Sequence, residues 1–220
     1  MAKIKEIFTS VQGEGPFVGF NQTFVRFCRC NLACTYCDTD FTADSSTVDY
    51  SASHLANIVN SHKNIHSVSL TGGEPLMETD FLLEFLPLCE HKIYLETNAT
   101  MCSEMEKIVN YVDFVSADIK LKSATGTEAT FDLHDEFFRI CSEKCLFAKI
   151  VFNQNISDDE IIRSCEIAKK YDIEIILQPQ MNNSSFTDDL ESIQKVFDKF
   201  LVHYQKVRLI PQMHKFLNVR

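Results

Sequence analysis

Cys30, Cys34 and Cys37 fall in the stretch Cys-Asn-Leu-Ala-Cys-Thr-Tyr-Cys, a Cys-x3-Cys-x2-Cys spacing. A structural zinc takes four protein ligands, and common ferredoxin clusters take four cysteines. A triplet on a 4Fe–4S cluster therefore leaves one iron without a protein ligand, open to a substrate or cofactor. That spacing points to chemistry rather than to a structural staple. The bland alternative is a zinc completed by Cys28 or a distant His, but no second Cys-x-x-Cys or His pair completes such a pattern. Cys89, Cys102, Cys141, Cys145 and Cys165 are scattered and read as ordinary thiols, with Cys141 and Cys145 expected on one helix.

Other polar groups stand where strands are expected to end. The strand candidates are residues 23–27, 67–70, 92–95, 114–117, 147–152, 173–177 and 207–210, most of them rich in Val, Ile and Phe and mostly apolar along their length. Strands buried on both faces of a parallel sheet read this way. Helical periods lie between them: 53–61 with Ser53 as cap, 79–86, a segment after Ser103, a segment opened by Ser157 with an acidic first turn, and 188–204. The βαβα order predicts an α/β fold with a parallel sheet. The cysteine loop, Thr71-Gly72-Gly73-Glu74-Pro75, Glu96-Thr97-Asn98, Ser116 to Lys120, Gln178-Pro179-Gln180 and Pro211-Gln212 all follow or end such strands. Agreement on one edge favours a barrel-like curl, whose active site lies at the C-terminal ends of the strands, over an open sheet with one switch point. No linker or repeat interrupts the chain, so residues 1–220 are expected to form one catalytic domain.

Composition narrows the partners. A net charge of −10 makes nucleic acid a poor match. No run is long enough to span a bilayer and the first residues lack an apolar leader. An odd count of nine cysteines fits a reducing cytoplasm better than a disulfide framework.

Cys30-x3-Cys34-x2-Cys37, with Tyr36 before the last cysteine and Gly72-Gly73-Glu74-Pro75 after the second strand, resembles the radical S-adenosylmethionine superfamily. Glu6-Ile7-Phe8, Val11-Gln12-Gly13-Glu14-Gly15, Phe24-Val25-Arg26-Phe27, Cys37-Asp38-Thr39-Asp40-Phe41, Leu95-Glu96-Thr97-Asn98, Gln178-Pro179 and Gln212 to Asn218 narrow it. Together they resemble the 7-carboxy-7-deazaguanine synthase family over nearly the whole chain. The resemblance implies an abbreviated, modified parallel β/α (partial TIM) barrel and a homodimer. It implies a radical lyase that contracts the ring of 6-carboxy-5,6,7,8-tetrahydropterin to 7-carboxy-7-deazaguanine with loss of ammonia, in queuosine and 7-deazapurine biosynthesis. Its cofactors are a 4Fe–4S cluster, S-adenosyl-L-methionine and Mg2+, with a reductant such as flavodoxin or ferredoxin.

By the same resemblance Cys30, Cys34 and Cys37 hold the cluster and Thr39 holds magnesium. Val11, Gln12, Gly13, Glu14, Arg26, Thr71, His214 and Arg220 contact the pterin, while Tyr36, Asp38, Gly73, Glu74, Ser116, Asp118, Lys120 and Gln178 contact the S-adenosylmethionine. The residue types suit these roles. Carboxylate and amide side chains match the hydrogen-bonding edge of a pterin, an arginine in an apolar strand suits a carboxylate, and a hydroxyl suits a magnesium shell. The glycines are expected to let backbone approach the methionine moiety. Arg29 stands where this family often has glycine, and Asp118-Ile119-Lys120 is similar to the form in enzymes that activate glycyl-radical proteins. Such an activase is the alternative within the superfamily; a non-catalytic zinc or electron-transfer protein is the alternative outside it.

Overall fold

The computed structural model describes residues 1–37 and 41–219. Its strands are β1 (Ala2–Val11), β2 (Asn21–Phe27), β3 (Val48–Tyr50), β4 (Ser67–Gly72), β5 (Ile93–Thr97), β6 (Phe114–Asp118), β7 (Cys145–Phe152), β8 (Glu174–Pro179), β9 (Met181–Asn182), β10 (Ser185–Phe186) and β11 (Val207–Leu209). Its helices are α1 (Ala52–Ser61), α2 (Thr79–Phe85), α3 (Cys102–Ile108), α4 (Lys122–Thr125), α5 (Phe131–Ile140), α6 (Asp158–Tyr171), α7 (Leu190–His203) and α8 (Met213–Leu217).

Nine strands form one sheet in the order β11-β8-β7-β6-β5-β4-β2-β1-β3. From β2 to β11 every neighbour is parallel. β1 runs antiparallel to both β2 and β3. The sheet is therefore a partial barrel that stays open: its rims, β3 and β11, do not pair with each other among the described residues.

The sequence explains the two faces. Residues two apart on a strand share a face. One set, including Val25, Phe27, Leu70, Leu95, Val115, Ile150, Phe152 and Leu177, is buried in the main core with the helices. The helices have clear starts. Ser157 forms a capping box with Glu160, and Ser51 and Asp189 cap α1 and α7 through their side chains. The cap of α1 is thus Ser51, two residues before the expected Ser53, because its hydroxyl accepts the His54 amide.

The opposite set lines the concave face in layers. At the bottom, Phe17 packs among Tyr94, Phe114 and Phe147, with ring centroids 5.6, 4.9 and 6.3 Å away. This aromatic plug closes the lower end of the barrel. Above it the concave positions turn polar: Ser69 and Thr71, Glu96, Ser116 and Asp118, Lys149, and Gln178.

Several elements are absent from the candidates above: β1, the short β3, β9 and β10, and the helices α4, α5 and α8. β1 alternates too irregularly to announce itself, and its pairing shifts register between Ile4 and Glu6. α5 changes the reading of two thiols. Cys141 caps α5 while Cys145 opens β7, so the two do not share a helix. No described helix is long and apolar enough to cross a membrane.

Candidate active site

The C-terminal ends of the parallel strands open into one cavity of about 900 Å³. Its wall includes Val11, Gln12, Gly13, Glu14, Arg26, Thr71 and His214 from the expected substrate set. It also includes Cys30, Cys34, Tyr36, Cys37, Gly73, Asp118, Lys120 and Gln178 from the expected cluster and cofactor set. Asp38, Thr39 and Arg220, and with Thr39 the expected magnesium position, lie outside the described residues.

Glu14 is the centre of the side where substrate contacts are expected. Lys149 Nζ lies 2.6 Å from its Oε2, Gln212 Nε2 donates to its Oε1 at 2.9 Å, and His214 Nδ1 stands 4.0 Å from the same oxygen. Burial raises the pKa of this carboxyl, but Lys149 and the other partners outweigh it and bring the value to about 2. Glu14 is therefore anionic. The loop that carries it is rigid at both ends. Its amide donates to Gln12 Oε1 at 3.0 Å, and Gly13 takes the Met213 amide on its carbonyl at 2.8 Å. A Cβ on Gly13 would come within 2.5 Å of His214 Cβ, so this glycine lets the C-terminal segment lie against the loop.

A second carboxylate stands across the concave face. Glu96 accepts from Gln12 Nε2 at 3.0 Å, Ser69 Oγ at 3.2 Å and Thr71 Oγ1 at 2.9 Å. Gln12 also donates to Gln22 Oε1 at 2.9 Å. Arg26 is steered by Glu6, whose Oε1 lies 2.8 Å from its Nε, and its guanidinium lies over the Phe8 ring at 5.7 Å.

The side where cofactor contacts are expected is built around the cysteine loop. Cys30 Sγ faces the Leu32 amide at 3.5 Å and the Asn98 Nδ2 at 3.8 Å. Burial pushes the Cys30 and Cys34 thiols up. Lys120 Nζ donates to Tyr36 Oη at 3.1 Å and to Asp118 Oδ2 at 2.6 Å. Burial works against the charge on Lys120, yet the Asp118 carboxylate raises its pKa above the ordinary lysine value. His134 is wholly buried and clamps two loops: its Nε2 accepts the Lys120 amide at 3.1 Å and its Nδ1 faces the Ala99 carbonyl at 3.2 Å. Burial lowers its pKa to about 4, so it is neutral, with the proton on Nδ1.

Two expected cofactor contacts lie beneath the cavity wall. Glu74 is fully buried and accepts the Leu76 amide at 3.1 Å, Thr97 Oγ1 at 2.9 Å and the Asn98 amide at 2.8 Å. Desolvation raises its pKa to about 7. Its place is the joint between the Gly-Gly turn and the end of β5. Ser116 hydrogen-bonds the buried Tyr94 phenol. The glycines of the turn are also needed for a different neighbour than the sequence suggests. A Cβ on Gly73 would lie 1.6 Å from the Arg29 carbonyl oxygen, and one on Gly72 (φ +116°) would meet the Phe27 backbone. The turn lies directly on the backbone of the cysteine loop, which it holds through Glu74 N–H to Arg29 O at 2.9 Å.

The residues present fit the implied groups. The cysteine loop offers three thiols at the cavity, with N–H groups aimed at one sulfur, as cluster sites do. Among the described residues no three His, Cys, Asp or Glu side chains converge as ligands of a single ion would. Thiolates on separate corners of an iron–sulfur cube stand farther apart than that. Asp118 Oδ1, which meets the unaligned Lys149 ammonium at 3.3 Å, and Gln178 Oε1 are buried on residues of the wall without a hydrogen bond among the described residues, and both suit the hydroxyl and amino groups of a nucleoside-bearing amino acid.

Sequence reasoning leaves Glu96, Lys149, Asn98, Gln212 and His134 out of the site set. Glu96, Asn98 and Gln212 sit inside motifs already singled out. Lys149 carries a signal of its own: a lysine inside an apolar strand, the same anomaly that points to Arg26. His134 carries none, because its helix is itself unexpected.

A radical SAM superfamily model matches residues 24–193. Over 98% of its length the chain is 36% identical to the 7-carboxy-7-deazaguanine synthase of Geobacter sulfurreducens, covering 97% of that protein. It is 35% identical to the enzyme of the same name from Archaeoglobus fulgidus, across 100% of this chain and 99% of that one. The fold is similar to the crystal structure of QueE from Escherichia coli, with a TM-score of 0.64, 18% identity and coverage of 97% and 94% of the two chains.

Proposed function

This chain belongs to the radical SAM superfamily and, within it, to the 7-carboxy-7-deazaguanine synthase family, and from that premise we propose that it converts 6-carboxy-5,6,7,8-tetrahydropterin to 7-carboxy-7-deazaguanine with release of ammonia. The observation that carries this reading is an anionic Glu14 and a second carboxylate, Glu96, sharing one cavity with the cysteine triplet.

Glu14 and Glu96 accept the amino and ring N–H groups of the pyrimidinone edge, a match that neutral side chains make less well. Gln12, bonded to Glu96, fixes the spacing between them. Arg26 takes the carboxylate at C6 through a charge-assisted fork. The segment around His214 covers the ring and excludes water from it. Cys30, Cys34 and Cys37 hold the 4Fe–4S cluster. Gly73, Tyr36, Asp118, Lys120 and Gln178 form the bed for S-adenosylmethionine, with Glu74 and Ser116 supporting it from beneath. When bound, cluster and cofactor supply the one-electron chemistry that starts the rearrangement. The chain's own residues orient C6 toward that bed and keep the reactive ring dry. Mg2+ at Thr39, contacts from Asp38 and Arg220, a flavodoxin or ferredoxin as electron donor, a homodimer and a cytoplasmic location complete the proposal. So does the treatment of residues 1–220 as one catalytic unit.

The test is anaerobic reconstitution of the cluster followed by reductant, S-adenosylmethionine, Mg2+ and the pterin. The expected product is 7-carboxy-7-deazaguanine. Formation of 5′-deoxyadenosine without it would leave the superfamily standing and sink the synthase reading.

A further inference from the structure

Lys149 contacts both halves of the site. It sits on β7, directly across from Asp118 of β6 in the parallel register, and is only 8% exposed. Its ammonium lies 2.6 Å from Glu14 Oε2 and 3.3 Å from Asp118 Oδ1. The second contact is an ion pair without hydrogen-bond alignment, since Asp118 Oδ1 has no aligned donor. Asp118 continues to Lys120 at 2.6 Å, and Lys120 to Tyr36 at 3.1 Å, between the second and third cluster cysteines. In the other direction Glu14 continues to Gln212. Alternating charges therefore run from Glu14 through Lys149 and Asp118 to Lys120, and neutral Gln212 and Tyr36 tie their ends to the C-terminal segment and the cysteine loop.

We propose that Lys149 is a positioning residue that couples the two subsites: by holding Glu14 and Asp118 on one ammonium, it makes occupancy of the pterin subsite favour S-adenosylmethionine binding, and the reverse. The inference rests on the synthase reading above. Its physical basis is that a pterin drawing on Glu14 reduces the hold of that carboxylate on Nζ. The ammonium then turns toward Asp118, which fixes the Asp118–Lys120–Tyr36 series beside the cofactor. Burial pulls the Lys149 pKa down, but the Asp118 and Glu14 carboxylates raise it well above the ordinary value, so the ammonium stays charged throughout.

The test is equilibrium binding to the cluster-reconstituted protein without reductant. The affinity for S-adenosylmethionine is measured with and without 6-carboxy-5,6,7,8-tetrahydropterin, and the pterin affinity with and without S-adenosylmethionine. The parent is expected to show the same enhancement in both directions, at least about five-fold, because linkage is reciprocal. Lys149→Met, and Lys149→Gln should the first not fold, are expected to bring the enhancement to about one-fold while iron content stays at the parent level. Lys149→Arg should restore part of it. A residue of merely structural importance would lower both affinities and leave their ratio intact. No enhancement in the parent, or a parent-sized one in Lys149→Gln, would overturn the inference. Failure of the parent to bind the pterin at all would instead strike the synthase reading.

Discussion

Glu14 and Glu74 are both carboxylates removed from water in the same cavity region, and they are held in opposite states. Glu14 is brought down to about 2 and Glu74 is raised to about 7. Desolvation is the largest influence on each. The difference is the kind of partner. Glu14 has an ammonium at 2.6 Å, whereas Glu74 has only the neutral donors of Leu76, Thr97 and Asn98. A full charge at contact distance overcomes burial, and three polar hydrogen bonds do not. The lesson extends to role. The charged carboxylate lines the cavity; the one raised by burial ties backbone segments together behind it.

The sharpest way to break this contrast is Gly73→Ala. The new Cβ would fall on the Arg29 carbonyl, which is backbone and cannot swing away. The Glu74 joint should open, with a stability loss of roughly 3 kcal/mol or more and loss of iron binding, read by denaturant unfolding and iron analysis. Retained iron with parent stability would show that the joint does not support the cysteine loop.

Next comes pH. Glu74 is raised from 4.5 to about 7 in the folded chain. The folded state then binds the proton more tightly, so stability is greatest below 4.5 and falls as pH rises toward 7. The whole change is about 3 kcal/mol. Glu14 has the opposite sign: its contribution is present above 4.5 and is lost as pH falls toward about 2. The difference between parent and Glu74→Gln unfolding profiles should therefore slope between pH 4.5 and 7 and be flat above. A slope that survives in Glu74→Gln would assign it elsewhere.

A smaller effect is expected from Glu14→Gln, which keeps the shape and removes the charge. We expect kcat/KM to fall about 100-fold, close to 2.7 kcal/mol, with iron content unchanged. An equal fall in iron content would mean that the two carboxylates do not divide the work as described. The smallest is Gly13→Ala. Here the obstacle is His214, its Cβ at 2.5 Å and its backbone nitrogen at 2.7 Å, on the short helix α8 rather than on the sheet. KM should rise about ten-fold, or about 1.4 kcal/mol, while stability moves by about 1 kcal/mol.

The parallel sheet was legible because segments such as residues 114–117 and 147–152 are mostly apolar, as strands covered on both faces are, and alternate with helical periods. The cysteine triplet and the Gly-Gly-Glu-Pro turn were legible because their spacing has few other uses. What was hidden depends on three-dimensional neighbours. Nothing local says that Gly73 faces Arg29 rather than a ligand, or that Glu74 turns inward while Glu96 turns to the cavity. The open rim was hidden as well: β1 joins antiparallel, a choice set by its partner strand and not by its own composition. Lys149 was visible as an anomaly in β7, yet its meaning required Glu14, which is 135 residues away in the chain.

The contact between Gln212 and Glu14 spans 198 positions, and Met213 closes on Gly13 beside it. During synthesis this bond becomes possible only after residue 212 is made, long after the cysteine loop. A nascent chain that has not reached residue 212 already contains the cysteine loop, the Gly-Gly turn and Lys149, but nothing yet closes on Glu14 and Gly13. The order of synthesis thus lays down the wall of the cavity before the segment that folds over it.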